Sequence, residues 1–261
     1  MTRPDASITV KVDLTNPGQF FACCGLLELA DRLWPGAEGW FGDAEFHVAC
    51  PGTRDELLRQ ITSVELERID PDDEMASPLR VTSPFHLTLD WWRDEIAGGK
   101  RLKVWAGSMR SGRIARAMQK AIIEAPDPER LFDHAAIVYD PDQSEKKVEP
   151  YYFDSRRGWN AQSLDVGFAT DSLKIKTLAY PAVEFLCLVG LQRFRPAPTE
   201  HRRVFDYHAW FDPLPVSPAT VAASGTLRVR NSEGYRFENA FRTAQRKHKS
   251  FLPATPIGAS S

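Results

Sequence analysis

Nowhere does the chain carry the run of about 18 apolar residues that a membrane-spanning helix needs. Its start, Met1-Thr2-Arg3-Pro4-Asp5, lacks the apolar stretch of a secretory leader. A cytoplasmic location is the expectation. Cysteine is scarce: Cys23, Cys24, Cys50 and Cys187 form no CxxC pair and have no histidine at zinc-ligand spacing, which argues against both a disulfide framework and a zinc site. Cys23 and Cys24 fall in an apolar helical stretch and read as small hydrophobes of the core.

Catalytic signatures are missing as well. The chain contains no Walker-type phosphate loop, no GxGxxG, no GxSxG, no HExxH and no His-Asp dipeptide. Gly107-Ser108-Met109-Arg110-Ser111-Gly112 has the small residues of a phosphate loop but not its lysine. The six histidines are scattered, and His47, His86 and His208 sit in strand-like alternation that suits structural roles. Asp72, Asp73 and Glu74 crowd a proline-flanked loop without spaced partner ligands. The chain therefore reads as non-catalytic, with no cofactor and no metal.

What is present is a foldable chain of 261 residues, 43% hydrophobic and 26% charged, values that exclude general disorder and fibrous classes. Ile8, Val10, Val12 and Leu14 alternate as a strand, and Asn16-Pro17 starts a helix that ends near Trp34-Pro35-Gly36. Residues 44–49 read as a strand, 53–63 as a helix, and 85–91 and 100–105 as an antiparallel pair that puts Arg101, Lys103 and Trp105 on one face. Residues 135–139 and 148–153 read as a second pair around a turn at 140–147. A buried apolar helix is expected near 177–194, strands at 205–211 and 226–230, and a basic helix at 237–249. The fold class is α+β, with antiparallel sheet elements packed against several helices in a single domain over 1–250 and a flexible tail over 251–261.

The net charge of -2 is unevenly spread: residues 1–99 carry net -10, 100–130 net +5, 131–191 net -3 and 192–261 net +6. Such a chain does not coat nucleic acid by itself, but its basic segments suit local phosphate contacts within a shared assembly. In the helix expected over 109–125, Arg110, Arg113, Arg116 and Lys120 fall within about 120° of arc, opposite Ile114, Met118, Ala121, Ile122 and Ala125. Lys100, Arg101 and Lys103 lie just upstream. The second basic group, Arg156, Arg157, Trp159, Asn160 and Gln162, combines guanidinium forks, an indole and two amides suited to phosphates, stacking and base edges. Its structural alternative is a loop in which Arg156 or Arg157 pairs with Asp154 and Trp159 fills the core. Arg193 and Arg195 leave the buried helix, where helix C-terminal charge is the plainer explanation. Arg242, Arg246, Lys247, His248 and Lys249 form a weaker run.

Three segments carry a resemblance: Asn16 through Ala30 (NPGQFFACCGLLELA), Phe153 through Asp165 (FDSRRGWNAQSLD) and Gly190 through Pro196 (GLQRFRP). Together they resemble the short large-subunit-like proteins of type I-G CRISPR systems, formerly called type I-U. The resemblance implies a subunit of Cascade, the RNA-guided surveillance complex in which pairing with CRISPR RNA reads the target. It implies as partners the CRISPR RNA, target double-stranded DNA near the PAM, the backbone and RNA-processing subunits, and the helicase-nuclease that this subunit helps recruit after unwinding. One alternative is a scaffold or small-subunit-like protein touching only CRISPR RNA, displaced strand or neighbouring subunits. Another is a metal-dependent nuclease built on Asp154, Asp165 or the cluster from Asp72 to Glu74.

Overall fold

Asn16 starts the first helix by the expected chemistry. Its side-chain oxygen accepts from the backbone N–H of Gly18 (3.1 Å) and Gln19 (3.4 Å), supplying partners that a helix start lacks. The computed structural model describes residues 3–96, 98–107, 109–122, 130–157, 178–242 and 248–258. In chain order β1 (Ile8–Lys11) leads into α1 (Pro17–Leu33), the hairpin β2 (Glu38–Gly42) and β3 (Glu45–Ala49), then α2 (Arg54–Ser63). Three short strands follow, β4 (Leu66–Arg68), β5 (Leu79–Val81) and β6 (Leu87–Leu89), then the single turn α3 (Gly99–Leu102), α4 (Ser111–Ala121) and the hairpin β7 (Tyr139–Asp140) and β8 (Gln143–Lys147). The rest comprises α5 (Pro181–Arg193), β9 (Ala197–Pro198), β10 (Val204–Trp210), β11 (Leu214–Pro215), α6 (Val216–Ala223), β12 (Ser232–Phe241), β13 (Lys249–Phe251) and β14 (Thr255–Pro256).

The fold is α+β, with several antiparallel sheets packed against helices. One sheet runs β1-β3-β2-β11, a second β13-β12-β10-β9 with β14 also on β12, and a third β4-β5-β6. The helix α1 packs against the first two sheets, and α5 packs against α1, α4 and β6. Every residue of α1 from Pro17 to Ala30 is buried, and so is α5 from Pro181 to Leu191. Phe20 stacks on Phe41 of the first sheet at 5.1 Å and meets Tyr207 of the second at 4.4 Å, so the helix is walled in by both. The indole of Trp210 donates to the Gly39 carbonyl at 2.7 Å and ties the sheets together. Gly25 and Gly190 allow α1 and α5 to touch through their backbones. A Cβ at Gly25 would lie 2.0 Å from the Leu186 oxygen, and one at Gly190 2.0 Å from the Phe21 oxygen. Among the described residues no helix is long and apolar enough to cross a membrane.

Several expected elements differ. Residues 100–105 do not form a strand with 85–91. Gly98 takes a positive φ of 81°, and Gly99 lies so close to the Trp91 carbonyl that a Cβ would sit 1.7 Å from it. The chain therefore winds into α3, β6 pairs with β5, and Arg101, Lys103 and Trp105 share no strand face. The pair expected around a turn at 140–147 is shifted, because Asp140 accepts from the Asp142 N–H (2.9 Å) and turns the chain early, which makes 143–147 a strand. The strand expected at 226–230 is absent, and the apolar run before it forms α6, after which Gly225 takes a positive φ of 73°. The basic helix expected at 237–249 is replaced up to Phe241 by β12, whose Tyr235, Phe237 and Asn239 point inward with the period of a strand. Where a tail was expected from 251, Phe251 is fully buried and β14 pairs with β12.

Inserting a methyl group into the helix contact should be costly, since both opposing atoms are backbone. Gly190→Ala is expected to lower stability by about 1–3 kcal/mol, read as a lower urea midpoint at unchanged slope. Gly107→Ala, whose added carbon meets nothing within 4 Å, should leave the midpoint in place.

Candidate nucleic-acid interface

The Arg156 loop is built on the starts of the two central helices. Asn16 donates from Nδ2 to Asp154 Oδ1 (2.9 Å), and its oxygen also accepts from the Ser155 N–H (3.1 Å). Glu184, in the first turn of α5, accepts from the backbone N–H groups of Tyr152 (3.0 Å), Phe153 (3.3 Å) and Asp154 (3.2 Å). Asp154 and Glu184 are both fully buried, near two helix N-termini whose dipoles favour negative charge. Arg156 closes the loop. Its Nε and Nη2 reach the two Asp154 oxygens at 3.0 and 2.6 Å, and Nη2 also donates to the Phe132 carbonyl (2.6 Å). Nη1 meets Asp133 at 3.1 Å, and the guanidinium lies 3.5 Å over the Tyr180 ring. These contacts account for Arg156 as a structural clasp, the alternative that the sequence left open. Arg157 keeps a buried Nε without a hydrogen-bond partner. Trp159, Asn160, Gln162 and Asp165 lie outside the described residues, as do Arg246 and Lys247.

Ile114, Met118, Ala121 and Ile122 are buried as the periodicity of α4 predicts, opposite Arg110, Arg113 and Arg116, while Ala125 lies outside the described residues. Acidic side chains hold several of its arginines in place. Arg110 pairs with Glu74 (2.8 Å), Arg116 with Asp142 (2.8 Å) and Arg113 with Asp140. A backbone N–H from Asp142, together with Arg113, holds the Asp140 carboxyl below the usual carboxylate range. Lys120 turns away from this surface to donate to the Thr62 carbonyl (2.6 Å) at the end of α2, where helical carbonyls lack partners.

Two clefts flank the start of α4 and share Arg110 and Arg113. The first, of about 380 Å³, adds Arg68 from β4, Arg116 and Lys146 from β8. The second, of about 420 Å³, adds Lys147 and Arg242. Together they hold seven lysine and arginine side chains against four carboxylates, Glu74, Asp140, Asp142 and Glu149. Arg68, Lys146 and Lys147 were not singled out from sequence, because they reach α4 only through strand pairing and no local pattern marks them.

Of the remaining predicted cations, Lys100 pairs with Glu95, and Arg193 with Glu28 at 3.2 Å. Arg195 lies 5.9 Å over the Trp91 ring, and burial pulls its pKa down. Lys103 sits 5.0 Å over Trp105. The Arg101 carbonyl accepts from Lys249 (3.0 Å), whose ammonium is pulled down to about 8 by burial and then by Lys103, Arg203 and Arg202. Lys103, Arg202 and Arg203 thus lie close enough to Lys249 to act on its charge. Among the described residues, no three His, Cys, Asp or Glu side chains gather to hold a metal ion.

Two measurements check the clasp. Asp154→Ala leaves Arg156 and the Asn16 amide without their buried partner and is expected to cost about 3–5 kcal/mol of stability in urea unfolding. The second concerns Glu184, whose carboxyl is pushed from 4.5 up to about 8, first by burial and then by the Asp154 charge, against three N–H donors. The folded chain thus holds a proton that the unfolded chain releases above about pH 4.5, and stability from this group is lost as pH rises toward 8. Glu184→Gln should flatten that decline in unfolding curves taken from pH 5 to 8. Neither family models, nor curated proteins, nor solved structures give a match to this chain, so its function is read from its own residues.

Proposed function

We propose that the chain is a non-catalytic subunit that holds nucleic acid by its phosphate backbone along the two clefts beside α4, within a Cascade-type complex that its three motifs resemble. The observation that carries this is the excess of cations over carboxylates around Arg110 and Arg113. Exposed ion pairs such as Arg110–Glu74 and Arg116–Asp142 are worth only about 0–1 kcal/mol. A phosphate offers the same guanidinium groups a bidentate partner and displaces the carboxylates at little cost. Asp154, the carboxylate nearest to a nuclease reading, has both oxygens engaged by Arg156 and no exposure. In this proposal the segment with Trp159, Asn160 and Gln162, directly after the clasp, meets the PAM duplex. The CRISPR RNA and neighbouring subunits complete the site, and the helicase-nuclease is recruited to the assembled complex.

Binding of a labelled duplex to the purified chain, followed by anisotropy between about 50 and 200 mM salt, is expected to weaken linearly in log–log form. The double variant Arg110→Ala, Arg116→Ala should reduce the slope by about 1 for each phosphate that is no longer neutralised. Binding without a salt slope, or a slope unchanged in the variant, rejects the surface. Omission of the chain from a reconstituted complex is expected to abolish preference for a PAM-bearing duplex over a scrambled one, and survival of that preference rejects the PAM role.

A further inference from the structure

Tyr151, Tyr152 and Phe153 are three aromatics in a row, and the middle one behaves differently. Tyr151 and Phe153 are buried in the core with their rings 5.3 Å apart. Tyr152 takes a positive φ of 74°, a conformation that an aromatic residue keeps only where its surroundings impose it. Every polar group it has is held. Its N–H donates to Glu184 (3.0 Å), its carbonyl accepts from the Phe251 N–H (3.2 Å), and its hydroxyl donates to Glu149 (2.5 Å). The ring so fixed supports the Arg242 guanidinium, whose central carbon lies 3.4 Å from the ring centroid. The backbone of Arg242 is pinned in turn by its N–H bond to the His248 carbonyl (2.8 Å).

Arg242 lines the second cleft, and the chemistry of that cleft is mixed. Arg113 and Lys147 bring positive charge, while Met109, Ile114 and Val148 bring apolar surface. Its single carboxylate, Glu149, is already engaged by the Tyr152 hydroxyl. Arg113 Nη2 and Arg242 Nε are buried without a hydrogen-bond partner, and buried N–H groups left in that state are rare and costly. An inorganic anion would answer the charge but leave the apolar surface bare. A nucleotide answers both, with a phosphate for the cations and a flat base for the apolar side chains and the outer face of a guanidinium, a surface on which bases stack.

We infer that this cleft holds one unstacked nucleotide of a single strand, its base laid on the Arg242–Tyr152 stack and its phosphate beside Arg113 and Lys147. The inference rests on the nucleic-acid reading above and narrows it, since a paired base in a duplex has no free face to offer.

The test compares binding of an oligothymidylate, a base-free phosphodiester strand of equal length, and thymidine monophosphate to the full chain and to Arg242→Lys. This variant keeps the charge and loses the planar stack, and its fold is checked by thermal unfolding. The wild type is expected to bind the base-bearing strand at least about fivefold more tightly than the base-free one. The lysine variant should bind both strands alike, at the level of the base-free one. Equal binding of the two strands by the wild type, or a preference that survives in the variant, overturns the inference while the backbone-binding function stands. Thymidine monophosphate binding as tightly as the strand overturns the single-strand assignment in favour of a free nucleotide. Binding of none of the three, with no duplex binding either, overturns both this inference and the proposed function.

Discussion

The contact between α1 and α5 at Gly25 and Gly190 is the constraint on which the other elements depend. With no side chain at either position, backbone meets backbone, and the two helices become a single buried unit. Asn16 and Glu184 then lie at the same end of the pair, while Glu28 and Arg193 meet at the other. Both helix starts converge on residues 152–155, where five N–H or amide bonds reach the buried carboxyl groups of Asp154 and Glu184, whose burial would otherwise be costly. Gly18 belongs to the same design, since a Cβ there would lie 2.4 Å from the Phe153 carbonyl oxygen. The segment from Asn16 to Ala30 thus touches the start of the segment that begins at Phe153 through Asn16, and the segment that begins at Gly190 through Gly25 and Glu28.

The junction positions the surface. Glu184 of α5 holds the N–H of Tyr152, whose φ is positive, and α4 packs against α5 with its charged side turned outward. The carboxylates on that side do not cancel its charge. Glu74 and Asp142 come from loops and form exposed pairs, which orient the arginines and yield to a better anion. Rigid support beneath and exchangeable partners above suit the proposed phosphate-holding role.

Sequence by itself determined the class of the fold, the helices α1, α2, α4 and α5 and the amphipathic split of α4, because helical period, capping and apolar runs are local properties. It also showed that Asp154 and Arg156 were close enough to pair. It misread 100–105 because alternation there competes with the close approach that Gly98 and Gly99 impose. It misread 237–249 because a charge-rich stretch hides a period of two when only one face is buried. Tertiary structure alone decided that Asn16 and Glu184 complete the Arg156 clasp, more than a hundred residues from Asn16 along the chain. It alone brought Arg68 of β4, Lys147 of β8 and Arg242, just after β12, to the start of α4. Strand pairing and helix crossing join residues by geometry across distant parts of the chain, and no local pattern of residues records which partners they will meet.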